Sequence, residues 1–306
     1  MTSRHTATAL LAILLAVSME SAAQVGLEIP RLRNSDHVIK REAYTLSFNE
    51  LHHLANWVAY VLTADETVAR VNRFDGVFTP DPLLAQSPDN TDYLQSGYDR
   101  GHLAPAADME FSQNTMQESF FFSNIAPQTP AFNRGIWKRL ECLQRLWAKE
   151  YDSVYIITGP VLTSKLKTIG PHNVSVPRYF YKVIMRKEKD GRFVALGFVL
   201  PNRDSNSKLS SRVVSVDSVE NATGLDFFHL LPDNVEKAME CVACAECWNW
   251  HPGDPRVEAV QTSNNTRNQT PNKNNGKKRQ CTATTQSGKR CQRLTDDPSG
   301  RCYQHR

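Results

Sequence analysis

Residues 98 to 109 read YDRGHLAPAADM and crowd Asp99, Arg100 and His102 around Gly101, where neither helical nor strand periodicity asks for them. An imidazole with an ordinary pKa of ~6.5 accepts a proton near neutral pH, and arginine grips phosphate through paired donors. Glycine lets backbone approach closely or take a positive φ just before the base. Farther along stand an amide at Asn133, a carboxylate at Glu141 and a guanidinium at Arg145. Together these groups suit phosphodiester hydrolysis. That reaction needs a base for water, oxygen ligands for a magnesium ion and positive charge near the phosphate. Seen singly, each has a plainer reading: Asn133 as a helix N-cap, Glu141 with Arg145 as an i,i+4 pair, and His102 as a hydrogen-bonded structural residue.

These groups need a scaffold. The spacing predicts a helix from about Arg134 to Lys149, with Ile136, Leu140, Leu143 and Trp147 on one buried face and Asn133 at the N-cap. At 100 degrees per residue the apolar four fall between roughly 280 and 340 degrees, and Asn133, Glu141 and Arg145 fall near 0, 80 and 120. One face builds core, and another presents polar chemistry. ESFFFSNIAPQTP, residues 118 to 130, reads as a strand ending in a proline-containing loop, so a hairpin laid on this helix would bring His102 opposite its N-terminal half. Residues 37–49, 56–63, 153–162, 178–187 and 192–201 read as further strands, rich in β-branched and aromatic residues. The expected class is α+β, with a mixed or antiparallel sheet core.

DRGHLAPAA, SNIAPQ and FNRGIWKRLE resemble the signature blocks of the sugar-nonspecific DNA/RNA endonucleases, the ββα-metal family that includes endonuclease G and secreted bacterial nucleases. The similarity continues through ANWVAYVLT, VYIITGP and VALGFVLPN and covers roughly residues 45 to 231. The resemblance implies a ββα-metal fold acting on DNA and RNA without base specificity, with His102 as general base and Asn133 as the direct magnesium ligand. It implies that Glu141 fixes water around the metal, that manganese can substitute, and that Arg145 stabilises charge near the scissile phosphate. Asp99 and Arg100 complete the first block, and Asn124 falls in the second. An upstream arginine is also implied, and Arg73 is preferred to Arg70 in a loop that does not align cleanly. Family members are often dimers, so a homodimer is expected. Two other functions fit less well: an inactive nucleic-acid binder would not need His102, Asn133 and Glu141 together, and another metal-dependent phosphoesterase would want a carboxylate-rich two-metal cluster.

Outside this region, Arg4 and His5 precede an apolar run from Ala9 to Val17, and Ser21, Ala22 and Ala23 follow, which is the layout of a cleaved secretory signal. The run is too short to span a bilayer, so an exported protein, periplasmic or extracellular and without membrane attachment, is expected. Residues 24–256 then form the nuclease domain, 257–280 a polar basic linker, and 281–306 a small module. From residue 261 onward ten Lys or Arg face two acids, a balance of +8, which against a total of +4 leaves −4 for the rest. The tail is the part that attracts a polyanion. Cys281, Cys291, Cys302 and His305 form a Cys3His set suited to structural zinc in a piece too small to fold alone. Cys142, Cys241, Cys244 and Cys247 are even in number; disulfides are favoured for CVACAEC in an exported chain, with the connectivity open.

Overall fold

The computed structural model of the chain describes residues 26–72, 77–258, 279–284, 290–291 and 294–295. The expected signal segment, Arg73, Cys302 and His305 lie outside the described residues. Residues 1–261 and 262–306 separate into two compact units.

The larger unit is built on a seven-stranded antiparallel sheet. Its strands are β1 (His37–Lys40), β2 (Thr45–Asn49), β3 (Leu54–Thr63), β6 (Ser153–Pro160), β9 (Tyr179–Lys187), β10 (Phe193–Pro201) and β11 (Val213–Val214), side by side in that order. Two further hairpins lie outside it: β4 (Asp99–His102) with β5 (Ile125–Gln128), and β7 (Lys167–Ile169) with β8 (Val174–Val176). The runs at 56–63, 153–162, 178–187 and 192–201 each form one strand of the sheet, whereas 37–49, read as one strand, folds into the β1–β2 hairpin around a turn at residues 41–44. The segment 118–130 differs. Helix α1 (Gln113–Ser119) and a tight turn at Phe122–Asn124 take up its first half, and only Ile125–Gln128 pairs as a strand. The Ser112 hydroxyl caps α1 by accepting from the Thr115 N–H, which favours helix over the strand that the phenylalanines suggest.

Successive residues of the central strands point to opposite faces, and both faces are covered. Ile156, Phe180, Ile184 and Leu196 pack with Leu140, Leu143 and Trp147 of helix α2 (Lys138–Glu150). Tyr155, Ile157, Val183 and Met185 pack on the other face with Val216 and Val219 of α3 (Val216–Thr223) and Met239 of α4 (Asp233–Glu240). Burial on both sides explains why β6 and β9 read as nearly unbroken apolar runs.

The approach to α2 differs from the sequence expectation. Thr129 is the N-cap, accepting from the Phe132 N–H, and Pro130 occupies the first helical position. Asn133 is already in αR conformation (φ −57°, ψ −47°) and opens a π-helical turn, Asn133–Trp137, that breaks at Gly135 before α2 proper. The helical path thus starts one turn earlier than the amphipathic pattern alone requires, and Asn133 is not its cap. Single π turns concentrate at functional sites because they re-aim side chains. The cysteines also resolve. Cys244 and Cys247 form a disulfide, whereas Cys142 and Cys241 form none, and the Cys142 sulfur sits 3.3 Å from Arg145 Nη2.

One charged group lies in the core between sheet and helix. Lys182 of β9 is fully buried, with its Nζ 4.8 Å from the centre of the Trp137 ring and no hydrogen-bond partner among the described residues. Burial drives its pKa from 10.5 down to about 8, against the upward pull of Glu141 and Asp108. Between those two pH values the unfolded chain holds a proton that the folded protein has lost, so this residue's contribution to stability rises with pH. We predict that the denaturant stability of the wild type, relative to the near-isosteric Lys182→Met, rises as pH is raised from 8 toward 10.5. A difference that does not change with pH would contradict it.

Candidate active site

Strands β4 and β5 pair in the register Asp99↔Gln128, Gly101↔Ala126 and His102↔Ile125, and the chain then turns through Thr129 into the π turn and α2. This is a ββα unit. Gly101 is required by close approach: its φ is not positive, but a Cβ there would run into the buried Gln128 side chain. The strand end is tied to the helix by the Trp137 indole, which donates to the His102 carbonyl at 3.3 Å. His102 is half-buried, its ring perpendicular to Phe120 at 5.0 Å and tilted against Phe78 at 5.5 Å. Aromatic walls on two sides restrict its rotation.

His102, Asn133, Glu141, Arg145 and Arg100 line one cavity of about 430 Å³, together with Arg134 and Lys138. The helical path delivers five of these groups, Asn133 and Arg134 from the π turn and Lys138, Glu141 and Arg145 from α2, while β4 delivers Arg100 and His102. Four cations around one carboxylate and one neutral amide make a wall suited to an anionic substrate. Arg100 lies across the Phe78 ring at 4.5 Å and donates to the Asn90 side chain.

Asp99 does not line the cavity but controls a residue that does. Its carboxylate accepts from the Asn133 amide nitrogen at 2.9 Å and from Arg134 Nε and Nη2 at 2.8 and 2.7 Å. With its nitrogen committed to Asp99, Asn133 has only its carbonyl oxygen left to offer a cation. Partial burial raises the Asp99 carboxyl, but the Arg134 and Asn133 hydrogen bonds outweigh it and hold the pKa below the ordinary carboxylate value. Asp99 therefore stays ionised and in place at neutral pH.

Arg145 is fixed in a similar way from below. Asp108, wholly buried, accepts from Arg145 Nη1 at 2.7 Å on one oxygen and from the Tyr60 hydroxyl at 2.8 Å and Gln144 Nε2 at 2.5 Å on the other. Burial disfavours the Arg145 charge, yet Asp108 and Glu141 more than compensate and raise its pKa above the usual arginine value. The guanidinium stays charged beside the cavity.

Asn124 is a correction. It is fully buried, its carbonyl accepts from the Ala104 N–H, and its nitrogen donates to the Ala104 and Ser119 carbonyls, each at 2.9 Å. The amide is consumed in holding the loop after His102 and does not face the cavity. Arg70, the weaker of the two upstream arginines, is paired on the surface with Asp65 at 2.6 Å and does not line the cavity. Three contributors escaped the sequence reading: Arg134 and Lys138 on the cavity wall, and Asp108 behind Arg145. Asp108 lies within YDRGHLAPAADM, at the end of its small apolar run, so a lone buried acid there was the available signal.

Another acid and histidine group, Asp89, Asp92 and His172, is spoken for structurally. Asp89 and Asp92 form a reciprocal capping box around the helical turn Asn90–Tyr93, and Asp92 also accepts from the His172 backbone and ring nitrogens, each at 2.9 Å.

Comparison with known proteins gives the same picture. The chain is 36% identical over 209 residues to Nuclease C1 of Cunninghamella echinulata var. echinulata, covering 63% of this chain and 83% of that protein. It is 33% identical over 201 residues to human mitochondrial endonuclease G, covering 61% and 68% respectively. Zebrafish mitochondrial nuclease EXOG is 35% identical over 204 residues, which span 61% of this chain and 60% of EXOG. A crystal structure of EndoG in complex with EndoGI superposes with a TM-score of 0.65 at 34% identity, covering 70% of this chain and 94% of that one. The profile of the DNA/RNA non-specific endonucleases matches residues 24–234. The chain belongs to the DNA/RNA non-specific endonuclease family.

Proposed function

We propose that this nuclease hydrolyses phosphodiester bonds of DNA and RNA with His102 as general base and a magnesium ion held by Asn133 directly and by Glu141 through water. The carrying observation is the convergence of His102, Asn133 and Glu141 on one cavity walled by Arg100, Arg134, Lys138 and Arg145. The residues fit the ion. Asn133 keeps a carbonyl oxygen available because Asp99 takes its nitrogen, and Glu141, on the same helical path, lines the same space. An oxygen-only set with few protein ligands suits magnesium, which retains much of its water, and manganese can replace it. When bound, the ion polarises the phosphoryl oxygen and offsets its charge.

The chain's own groups do the rest. His102, clamped between Phe120 and Phe78, takes a proton from the attacking water. Arg145, anchored by Asp108, keeps a fixed positive charge beside the phosphate as negative charge accumulates on it. Arg100, Arg134 and Lys138 bind flanking phosphates. Contacts of this kind carry little sequence information, in keeping with action that ignores base identity. Plasmid nicking with magnesium and then with a chelator tests the reading; cleavage of small phosphoesters but not of nucleic acid would favour a different phosphoesterase, and no cleavage in either condition would favour a binder.

The proposal extends to the rest of the chain. Export is supported by the N-terminal layout of charge, apolar run and small residues, and by the Cys244–Cys247 disulfide, which an oxidising compartment favours. Among the described residues no helix is long and apolar enough to cross a membrane. Several relatives carry a mitochondrial name, and localisation of a C-terminally tagged chain separates that destination from export. A homodimer is proposed from the resemblance, with light scattering as its check. For the tail, we propose a basic zinc module held by Cys281, Cys291, Cys302 and His305. In support, Cys281 and Cys291 are both buried and cluster with Ala283, whose carbonyl accepts from the Cys291 N–H at 2.9 Å, beside the short pair β12 (Arg279–Gln280) and β13 (Leu294–Thr295).

His102→Ala should lose on the order of 10²- to 10⁴-fold in cleavage while still binding substrate; near-normal turnover would remove the base. Because Thr129 is the cap, Asn133→Ala should leave the unfolding midpoint almost unchanged and raise the magnesium concentration needed for cleavage. An unchanged magnesium titration would remove the ligand role. Deleting residues 257–306 in a His102→Ala background should flatten the double-logarithmic salt dependence of DNA binding by about 3 to 4 units if four phosphate contacts are lost. An unchanged slope would exclude the tail as a contact, and the absence of stoichiometric zinc would remove the metal module.

A further inference from the structure

On the sheet face opposite His102, α3 and α4 bury Val216, Val219 and Met239 against the sheet and turn their acids toward one another. Carboxylate oxygens of Asp217, Glu220 and Glu240 all lie within 4.8 Å of one another. Glu240 is 5% exposed, and its Oε1 is buried with no hydrogen-bond partner among the described residues. Glu220 uses one oxygen to accept from the Phe227 N–H at 2.7 Å, and no side chain engages the Asp217 carboxylate among the described residues. Arg31, which acts on Glu236 of α4, is committed to Asp226 at 2.5 Å. Burial, followed by Glu220, Glu236, Asp217 and Asp226, pushes the Glu240 carboxyl up to about 9.

A carboxylate stripped of water and surrounded by like charge is costly unless something neutralises it. We propose that Asp217, Glu220 and Glu240 form a binding site for a hard divalent cation, calcium, that ties α3 to α4 on the face away from catalysis. The donors are all oxygen, which suits calcium or magnesium and not the metals that favour nitrogen or sulfur. Three carboxylates with oxygens to spare fit the variable, often bidentate shell of calcium better than the one or two carboxylates that magnesium usually takes. The competing solution is a proton: Glu240 stays neutral and shares it with Glu220. The proton needs no metal, and so the two can be told apart.

The full chain carrying Asn133→Ala removes the proposed catalytic ligand and serves as the test protein. Its unfolding midpoint is followed against calcium chloride, with magnesium chloride in parallel and calcium stoichiometry measured by calorimetry. The site predicts one bound calcium, a saturable rise of a few degrees and a smaller rise with magnesium. Glu240→Gln should raise the midpoint in chelator by removing the cost of taking up a proton on folding and abolish the calcium response, and Asp217→Asn should weaken that response. A midpoint indifferent to calcium overturns the proposal in favour of the shared proton. A calcium response that persists in full in Glu240→Gln overturns it as well, by placing the ion elsewhere. Neither outcome bears on His102 or Asn133.

Discussion

The carboxylate of Asp99 joins the strand of the ββα unit to the start of its helix at the point where both face the cavity. It sits on the strand that carries His102 and holds the amide of Asn133 and the guanidinium of Arg134 on the helical side. An asparagine amide presents either a donor or an acceptor to the cavity, and the ring of partners decides which. Asp99, as an ionised acceptor, takes the donor. The oxygen that remains is the group this neutral residue can offer a cation. The π turn at Asn133–Trp137 and the indole bond to the His102 carbonyl keep strand and helix at the separation this exchange requires.

Behind this contact the sheet divides the larger unit's work between its faces. The face under α2 supplies the platform: Trp137, Leu140 and Leu143 anchor the helix, and Asp108 with Tyr60 and Gln144 fixes Arg145 from within the core. Lys182 lies on this side too, fully buried, its positive charge offsetting part of the negative charge of the buried Asp108 and of Glu141 at the cavity. The other face carries α3 and α4 and no residue that lines the cavity with His102.

Much of this was legible in the sequence because the relevant signals are local. Strands β3, β6, β9 and β10 follow β-branched and aromatic runs, and α2 follows the four-three-four spacing of Ile136, Leu140, Leu143 and Trp147. The motif residues His102, Asn133, Glu141 and Arg145 meet at one cavity. What was not legible depends on tertiary partners. Asn133 resembles an N-cap by position, but Thr129 and Pro130 start the helix earlier. Asn124 shares a motif block with the site, yet its amide is spent on Ala104 and Ser119. ESFFF looks like a strand, but the Ser112 cap and the burial of Phe120 and Phe122 turn it into a helix end and a tight turn. Asp108, Lys182 and the acids of α3 and α4 are single residues whose meaning comes only from neighbours distant in sequence.

We infer that Asp99 acts through Asn133 to prepare a metal ligand. The direct measurement is a double-mutant cycle on the magnesium dependence of DNA cleavage, using Asp99→Ala, Asn133→Ala and the double variant. Asp99→Ala is expected to raise the magnesium concentration for half-maximal cleavage, and the double variant to be no worse than Asn133→Ala alone, because both changes remove the same prepared oxygen. Effects of the two substitutions that simply add would show that Asp99 and Asn133 serve the site separately, and would contradict it.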